Sequence, residues 1–354
     1  MIVKFAQSIF LVLSLALTMN TCGGETATKK SSDNKDGLNI SFLSKQEAES
    51  RIIKDATDGF FESLTYADIS IQLKSGDVGK DLTEAKQRYA DFLKSDMMDF
   101  TEEDKAFLKD VFTEAKRLIE KVNPALYPKD IELVKTDINH YGEDVYYTRE
   151  NMIIIPSNIF EEKNVDVQKN VMMHEIFHIL SRYNDDFRDA LYALIGFHKF
   201  DSKIEYPEVL QNKILTNPDG VRTDYAIHLK DKAGRKQLAL PIISSRRERY
   251  SPEVPSFFSY LNFDLYPIVC DEDEGNCGLG ANEKGESTLS IEHNAHFFEL
   301  IKDNTTYIIH PDEIMAENFM LSILAYDVDD FNTYSEEGQV LLKDVLKVLI
   351  NHGK

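Results

Sequence analysis

The segment Val167–Tyr183 constrains this chain more than any other. Neither proline nor glycine interrupts it. Val171, Met172, Ile176, Ile179 and Leu180 give it apolar cover at helical spacing, so it reads as a strongly apolar helix. Within it stands His174-Glu175-Ile176-Phe177-His178. The two histidines are four apart, so a helix sets both imidazoles on one face, one turn apart. Two ring nitrogens at that spacing can bind one zinc ion. Glu175 lies about 100° around the helix. From there its carboxylate reaches a water on the metal, takes a proton and hands it to a leaving amine.

A catalytic zinc site has three protein ligands and one open position. The position six residues after His178 is Asn184, and Ser181 stands where a glycine would be expected, so the metzincin pattern is absent. Asp185 or Asp186, directly downstream, is a second option for the third ligand. The third option is the segment His310–Phe319, which opens a helix at Pro311, a residue suited to the first helical turn. Glu313 and Glu317 fall one turn apart on one face of that helix. Either carboxylate could bind zinc while the other orients a ligand histidine.

The HEIFH motif with a downstream E-x-x-A-E resembles the gluzincin zinc metallopeptidases. In that group the second helix carries E-x-x-x-D or E-x-x-A-D. The resemblance implies Glu313 as the metal ligand, Ala316 as the small packing residue and Glu317 as the acid that orients a histidine. It implies Zn(2+) as cofactor, a peptide or protein as substrate, and a donor for the transition-state oxyanion. Tyr307 and His310 are the first candidates for that donor, with His293 and His296 behind them. It also implies that the strand Asn151–Pro156, just before the metal helix, is a sheet edge that pairs with an extended peptide. The match covers that strand, the metal helix and the glutamate helix, not residues 39–130. It departs from the group's usual form in the 135 positions that separate His178 from Glu313 and in Glu317 where Asp is usual.

The N-terminus reads as an address. Lys4 is followed by an apolar stretch, Phe5–Leu17, which is shorter than the ~20 residues of a membrane span. Cys22-Gly23-Gly24 and the polar run Glu25–Gly37 follow. This resembles a bacterial lipoprotein signal, with residues 1–21 removed and Cys22 lipidated. Residues 22–38 are then a flexible tether. The expected location is the bacterial cell envelope, with the membrane as partner through the lipid. Export permits a disulfide between Cys270 and Cys277, around the acidic turn Asp271–Asn276.

Helices are expected from Ser44 towards Leu64, over Leu82–Leu93, over Glu102–Val122 with Thr101 as N-cap, and over Arg188–Phe197. Two more close the chain, Asp312–Ala325 and Glu336–Ile350. Strands are expected at Ile131–Val134, Met152–Ile155, Tyr225–Leu229, Leu238–Ile243, Phe257–Val269, Thr288–Ile291 and Thr306–Ile309. The expected fold is α+β and zincin-like. A helical region (39–130) precedes a catalytic region (131–354) with a β-rich insertion at about 200–310, and a small sheet packs on the metal helix. The balance of 40 Lys+Arg against 61 Asp+Glu, a net charge of -21, excludes nucleic acid as a partner, because phosphate contacts need a basic face. The expectation is therefore a lipid-anchored zinc peptidase. Its rivals are a zincin-fold binding lipoprotein without turnover and a zinc hydrolase of another kind. The intact Glu175 argues against the inactive form.

Overall fold

Thr101 opens the longest helix among the described residues. Its hydroxyl accepts the backbone N–H of Asp104, and the Asp104 carboxylate returns a bond to the N–H of Thr101. The helix runs Glu102–Val122 and buries one stripe from Phe107 to Ile119. Asn123-Pro124 ends it as the spacing predicts. The computed structural model describes residues 37–230, 234–254, 256–271, 276–289 and 294–353. The signal segment, Cys22, most of the tether and His293 lie outside the described residues.

The architecture is α+β with two sheets. The first sheet consists of β1 (Ile40–Phe42), β2 (Met97–Met98), β3 (Ile131–Thr136), β4 (Tyr147–Arg149) and β5 (Met152–Pro156), in the order β1-β3-β5-β4 with β2 extending the β1 side of β3. β1, β3 and β5 are parallel, and β4 and β2 are antiparallel to their neighbours. One face carries Leu133, Ile153 and Ile155 into the main core, together with Met172, Met173 and Ile176 of the helix that carries His174 and His178. The other face carries Val134, Met152 and Ile154 against the N-terminal helices. Alternation along the strands makes one sheet serve two cores.

Those N-terminal helices are α1 (Lys45–Arg51), α2 (Phe60–Ser63), α3 (Tyr66–Gln72) and α4 (Leu82–Ser95), with Glu102–Val122 as α5. The single helix expected from Ser44 towards Leu64 is instead two. The capping box of Ser44 and Glu47 is present, but Asp55 takes the N–H groups of Phe60 and Phe61 and starts a new helix there. Gly59, at a φ of 72°, makes the turn between them.

The helix that carries His174 and His178 is α6 (Val165–Tyr183), and α7 (Asp185–Leu194) follows at once. Asn184 ends the first and caps the second by accepting the N–H of Phe187. The second sheet runs β6-β8-β9-β10-β11-β7, from β6 (Phe197–Lys199) and β7 (Ile204–Glu205) through β8 (Tyr225–Lys230), β9 (Lys236–Ser245) and β10 (Leu261–Cys270) to β11 (Cys277–Leu279). Helix α8 (Glu208–Gln211) sits among them. Cys270 and Cys277 face each other across β10 and β11 and are disulfide-bonded. The strand expected at Phe257–Val269 begins only at Leu261, because Phe257–Ser259 is a 3₁₀ turn. The strand expected at Thr306–Ile309 is a loop, where the Thr305 hydroxyl takes the Tyr307 N–H. Of the strand expected at Thr288–Ile291, Thr288 and Leu289 form a bend, and residues 290–291 lie outside the described residues. Helices α9 (Ala295–Ile301), α10 (Pro311–Val328) and α11 (Glu336–Asn351) complete the chain, and α6 packs against α5 and α10. Among the described residues no helix is long and apolar enough to cross a membrane.

Candidate metal centre

His310 caps α10: its Nδ1 accepts the N–H of Asp312, and Pro311 occupies the first turn. This start places Asp312 and Glu313 one after the other, facing α6. Glu313, with 1% of its surface exposed, meets both histidines. Its Oε2 lies 3.2 Å from Nε2 of His174 and 3.5 Å from Nε2 of His178. The three donor atoms lie within 4.8 Å of one another. Tetrahedral zinc with bonds of roughly 2.0–2.1 Å has its ligand atoms about 3.3 Å apart. The two measured edges bracket that value. His178 Nε2 is also buried without a hydrogen-bond partner. Two neutral imidazoles and one carboxylate are a donor set that zinc accepts, so the residues fit the ion.

The opposite side of each ring is held by an acid. Nδ1 of His174 donates to Glu317 Oε1 at 3.0 Å, and Nδ1 of His178 donates to Asp312 Oδ2 at 2.7 Å. Both rings therefore turn Nε2 towards Glu313. Asp312 is fixed in turn, since its Oδ1 accepts from Ser181 Oγ and from Tyr192 OH, each at 2.5 Å. Asn217 Nδ2 donates to Glu313 Oε1 at 2.7 Å and leaves Oε2 to the histidines.

The charges follow from this geometry. Burial opposes a charge on His174, but hydrogen bonds to Glu313 and Glu317 outweigh it and push the ring up to about 10. Burial also opposes a charge on His178, and the neighbouring Glu313 and Asp219 carboxylates hold that ring well above its ordinary value. Glu313 is held well below the usual carboxylate range, because the two rings outweigh its burial. Zinc bound here would take the place of the Nε2 proton of each ring and leave Nδ1–H on its acid partner.

Glu175 follows His174 on α6 and is 4% exposed. Its Oε2 has no hydrogen-bond partner. Burial, reinforced by the charge on Asp219, pushes its carboxyl up to about 8, with His178 and His174 pulling the other way. Its free oxygen faces the candidate ligand set, and the raised pKa makes its ionised form a stronger base than an ordinary carboxylate.

The structure distributes the remaining candidates unevenly. Tyr307 stacks on His174, with ring centroids 6.2 Å apart and planes 18° apart. Burial holds its hydroxyl well above 10, so the phenol stays protonated and can donate. His310 is not an oxyanion donor. Its Nδ1 is spent on the helix start and its Nε2 donates to the Arg222 carbonyl, so both nitrogens are engaged. Burial lowers its pKa, and the ring is a neutral cap. His296 lies on α9 and does not join the cluster. Asp185 and Asp186 do not reach the histidines: both lie at the start of α7, away from the cluster, and Asp185 pairs with Arg188 at 2.8 Å.

The expected edge strand is corrected. β5 is paired on both sides, with β3 and with β4, so the sheet edge is β4. At Thr148 even that edge is covered. Its N–H donates to Asp219 Oδ1 at 2.6 Å, and Arg182 donates to its hydroxyl at 3.0 Å. Arg182 stands one turn beyond His178 on α6. It also binds the carbonyls of Glu150, Pro218 and Asp219 and the Asp58 carboxylate. The loop Asn217–Gly220 is thereby locked over β4, between the two sheets.

Asn217 and Asp219 carry no sequence signal of their role. An Oδ atom of Asp219 lies within 4.8 Å of donor atoms of Glu175 and His178. The local pattern is Asn-Pro followed by Asp-Gly, which marks a turn and nothing more. Gly220 follows because the chain passes so close to His310 that a Cβ would sit 2.4 Å from its ring. The chain matches no protein-family model, no curated protein and no solved structure at a significant level.

Proposed function

We propose that this protein is a zinc-dependent peptidase of the gluzincin kind, built on a zincin-like fold. The observation that carries the reading is the meeting of Glu313 with Nε2 of His174 and of His178 at tetrahedral spacing, beside the unpaired oxygen of Glu175. A zinc ion held by His174, His178 and Glu313 supplies a Lewis acid and makes water acidic near neutral pH. Glu175 takes the proton of the attacking water at Oε2 and delivers it to the leaving amine. Glu317 and Asp312 keep the two rings aimed, and Tyr307 offers its hydroxyl towards the negative charge that develops on the peptide oxygen. Burial of the cluster strengthens each of these interactions by excluding water.

Residues 1–38 support an exported protein anchored through lipid on Cys22, and the Cys270–Cys277 bond suits an oxidising compartment.

The test replaces Glu175 by Gln. The variant is expected to keep one zinc per chain by metal analysis and to lose peptide cleavage by about 10²–10⁴-fold. A wild-type protein that binds no zinc, or a Glu175→Gln variant that cleaves as well as wild type, sinks the reading. Mass spectrometry of the mature N-terminus tests the anchor, and an unmodified Cys22 refutes it.

A further inference from the structure

Beside the ligand cluster lies an open cleft, whose empty space of about 460 Å³ includes the solvent at its mouth. It is lined by aromatic rings from three distant stretches of chain, Tyr307 being the third. Tyr141, Tyr146 and Tyr147 come from the segment leading into β4, and Phe257 and Phe258 come from the β-rich insertion. Tyr141 joins the two sets edge-on, 4.8 Å from Phe257 and 5.3 Å from Tyr147. Leu215 and Ile243 add aliphatic surface.

The cleft is continuous with the metal centre. Asn217, Asp219 and Tyr307 also line it. Asn217 holds Glu313, Asp219 neighbours Glu175 and His178, and Tyr307 stacks on His174. Among its described lining residues Asp219 is the only charged one, and its Oδ1 is already occupied by the N–H and the hydroxyl of Thr148. An acidic side chain would find no cation there, and a small one would leave the aromatic surface wet.

We propose that this cleft is the specificity pocket of the site and takes a large apolar side chain, aromatic or branched aliphatic, from the substrate residue beside the scissile bond. The proposal rests on the peptidase reading and adds the substrate class to it. The segment 141–147 and the insertion must both be in place to form the pocket, which gives the insertion between the metal ligands a function in substrate choice.

The test uses the zinc-loaded full chain and a set of peptides that differ only at the residues flanking the cleaved bond. Phe or Leu should exceed Ala in kcat/KM on the order of 100-fold. Leu215→Trp, which fills the cleft, should bring that ratio towards one. Phe257→Ala, at a half-exposed position that the fold tolerates more readily, should lower the ratio as well, with melting curves checking both variants. A flat profile, a preference for Lys or Asp, or a ratio unchanged in both variants overturns the proposal. Binding of two hydroxamates, acetohydroxamate and one bearing a benzyl group, separates this proposal from the peptidase reading. The benzyl compound should bind the zinc-loaded protein on the order of 100-fold more tightly, and Phe257→Ala should erase the difference. Zinc uptake with equal affinity for both compounds overturns the pocket alone. No zinc uptake overturns both.

Discussion

Asp312 Oδ2 lies 2.7 Å from Nδ1 of His178, one residue before the carboxylate that meets Nε2 of the same ring. One turn of α10 therefore supplies both a candidate metal ligand, Glu313, and the group that aims the His178 ring. Ser181 and Tyr192 spend their hydroxyls on Asp312, so its carboxylate cannot rotate away. Replacing Asp312 by Ala should weaken zinc binding by about 10–100-fold while Glu313 stays in place. Titration against a coloured chelator measures this, and an unchanged affinity would refute the orienting role.

Glu313 and Glu317 are separable by the same measurement. Glu313→Ala removes one of three ligands and should abolish stoichiometric zinc. Glu317 touches only Nδ1 of His174 and keeps 23% of its side-chain surface in water, so water can replace it. Glu317→Ala should retain zinc with an affinity lower by about tenfold, the weak end of such effects. The reverse ranking would assign the third ligand to Glu317.

Arg182 carries structural weight rather than chemistry. Its side chain, 4% exposed, pairs with Asp58, which is 6% exposed, and binds the backbone carbonyls of Thr148, Glu150, Pro218 and Asp219. Arg182→Met leaves Asp58 buried without its partner and should cost about 3–5 kcal/mol, read from urea unfolding. A loss under about 1 kcal/mol, the size of an exposed ion pair, would show that the loop holds itself.

Asp68 makes stability depend on pH. Its carboxylate on α3 accepts from the N–H of Thr216 at 3.1 Å and so ties the N-terminal helices to the loop that bears Asn217. Burial raises its pKa from 3.8 to about 7, against the hydrogen bonds that lower it. The folded state therefore holds the proton where the unfolded chain has lost it. The contribution to stability is fully present below pH ~4, declines as pH rises and is gone above pH ~7, and each tenfold difference in proton affinity between the two states is worth about 1.4 kcal/mol. Urea midpoints should fall over that window, and Asp68→Asn should flatten the slope. An equal slope in the variant would place the titration elsewhere.

What could be read without the fold is whatever obeys a local period. The i,i+4 spacing of His174 and His178 lies within a single helix turn, and Thr101 and Pro311 mark helix starts through contacts a few residues long. The change of apolar period along the chain named the α+β class, and the assignment of Cys22 to an exported lipid anchor left Cys270 and Cys277 as the pair. The sequence placed Glu313 by likeness, and only the packing of α10 on α6 set its Oε2 against both rings. Acids are common at helix starts, so Asp312 stands out only through its contact with His178 of α6. Asn217 and Asp219 sat in a turn with no period, and β5 looked like an edge until β4 folded back beside it. These relationships depend on long-range closure, whose entropy is overcome by the shared core and not by neighbours in the chain. The sequence by itself therefore determined which residues could do chemistry on one helix. The tertiary structure decided which acids face them and which sheet edge is covered.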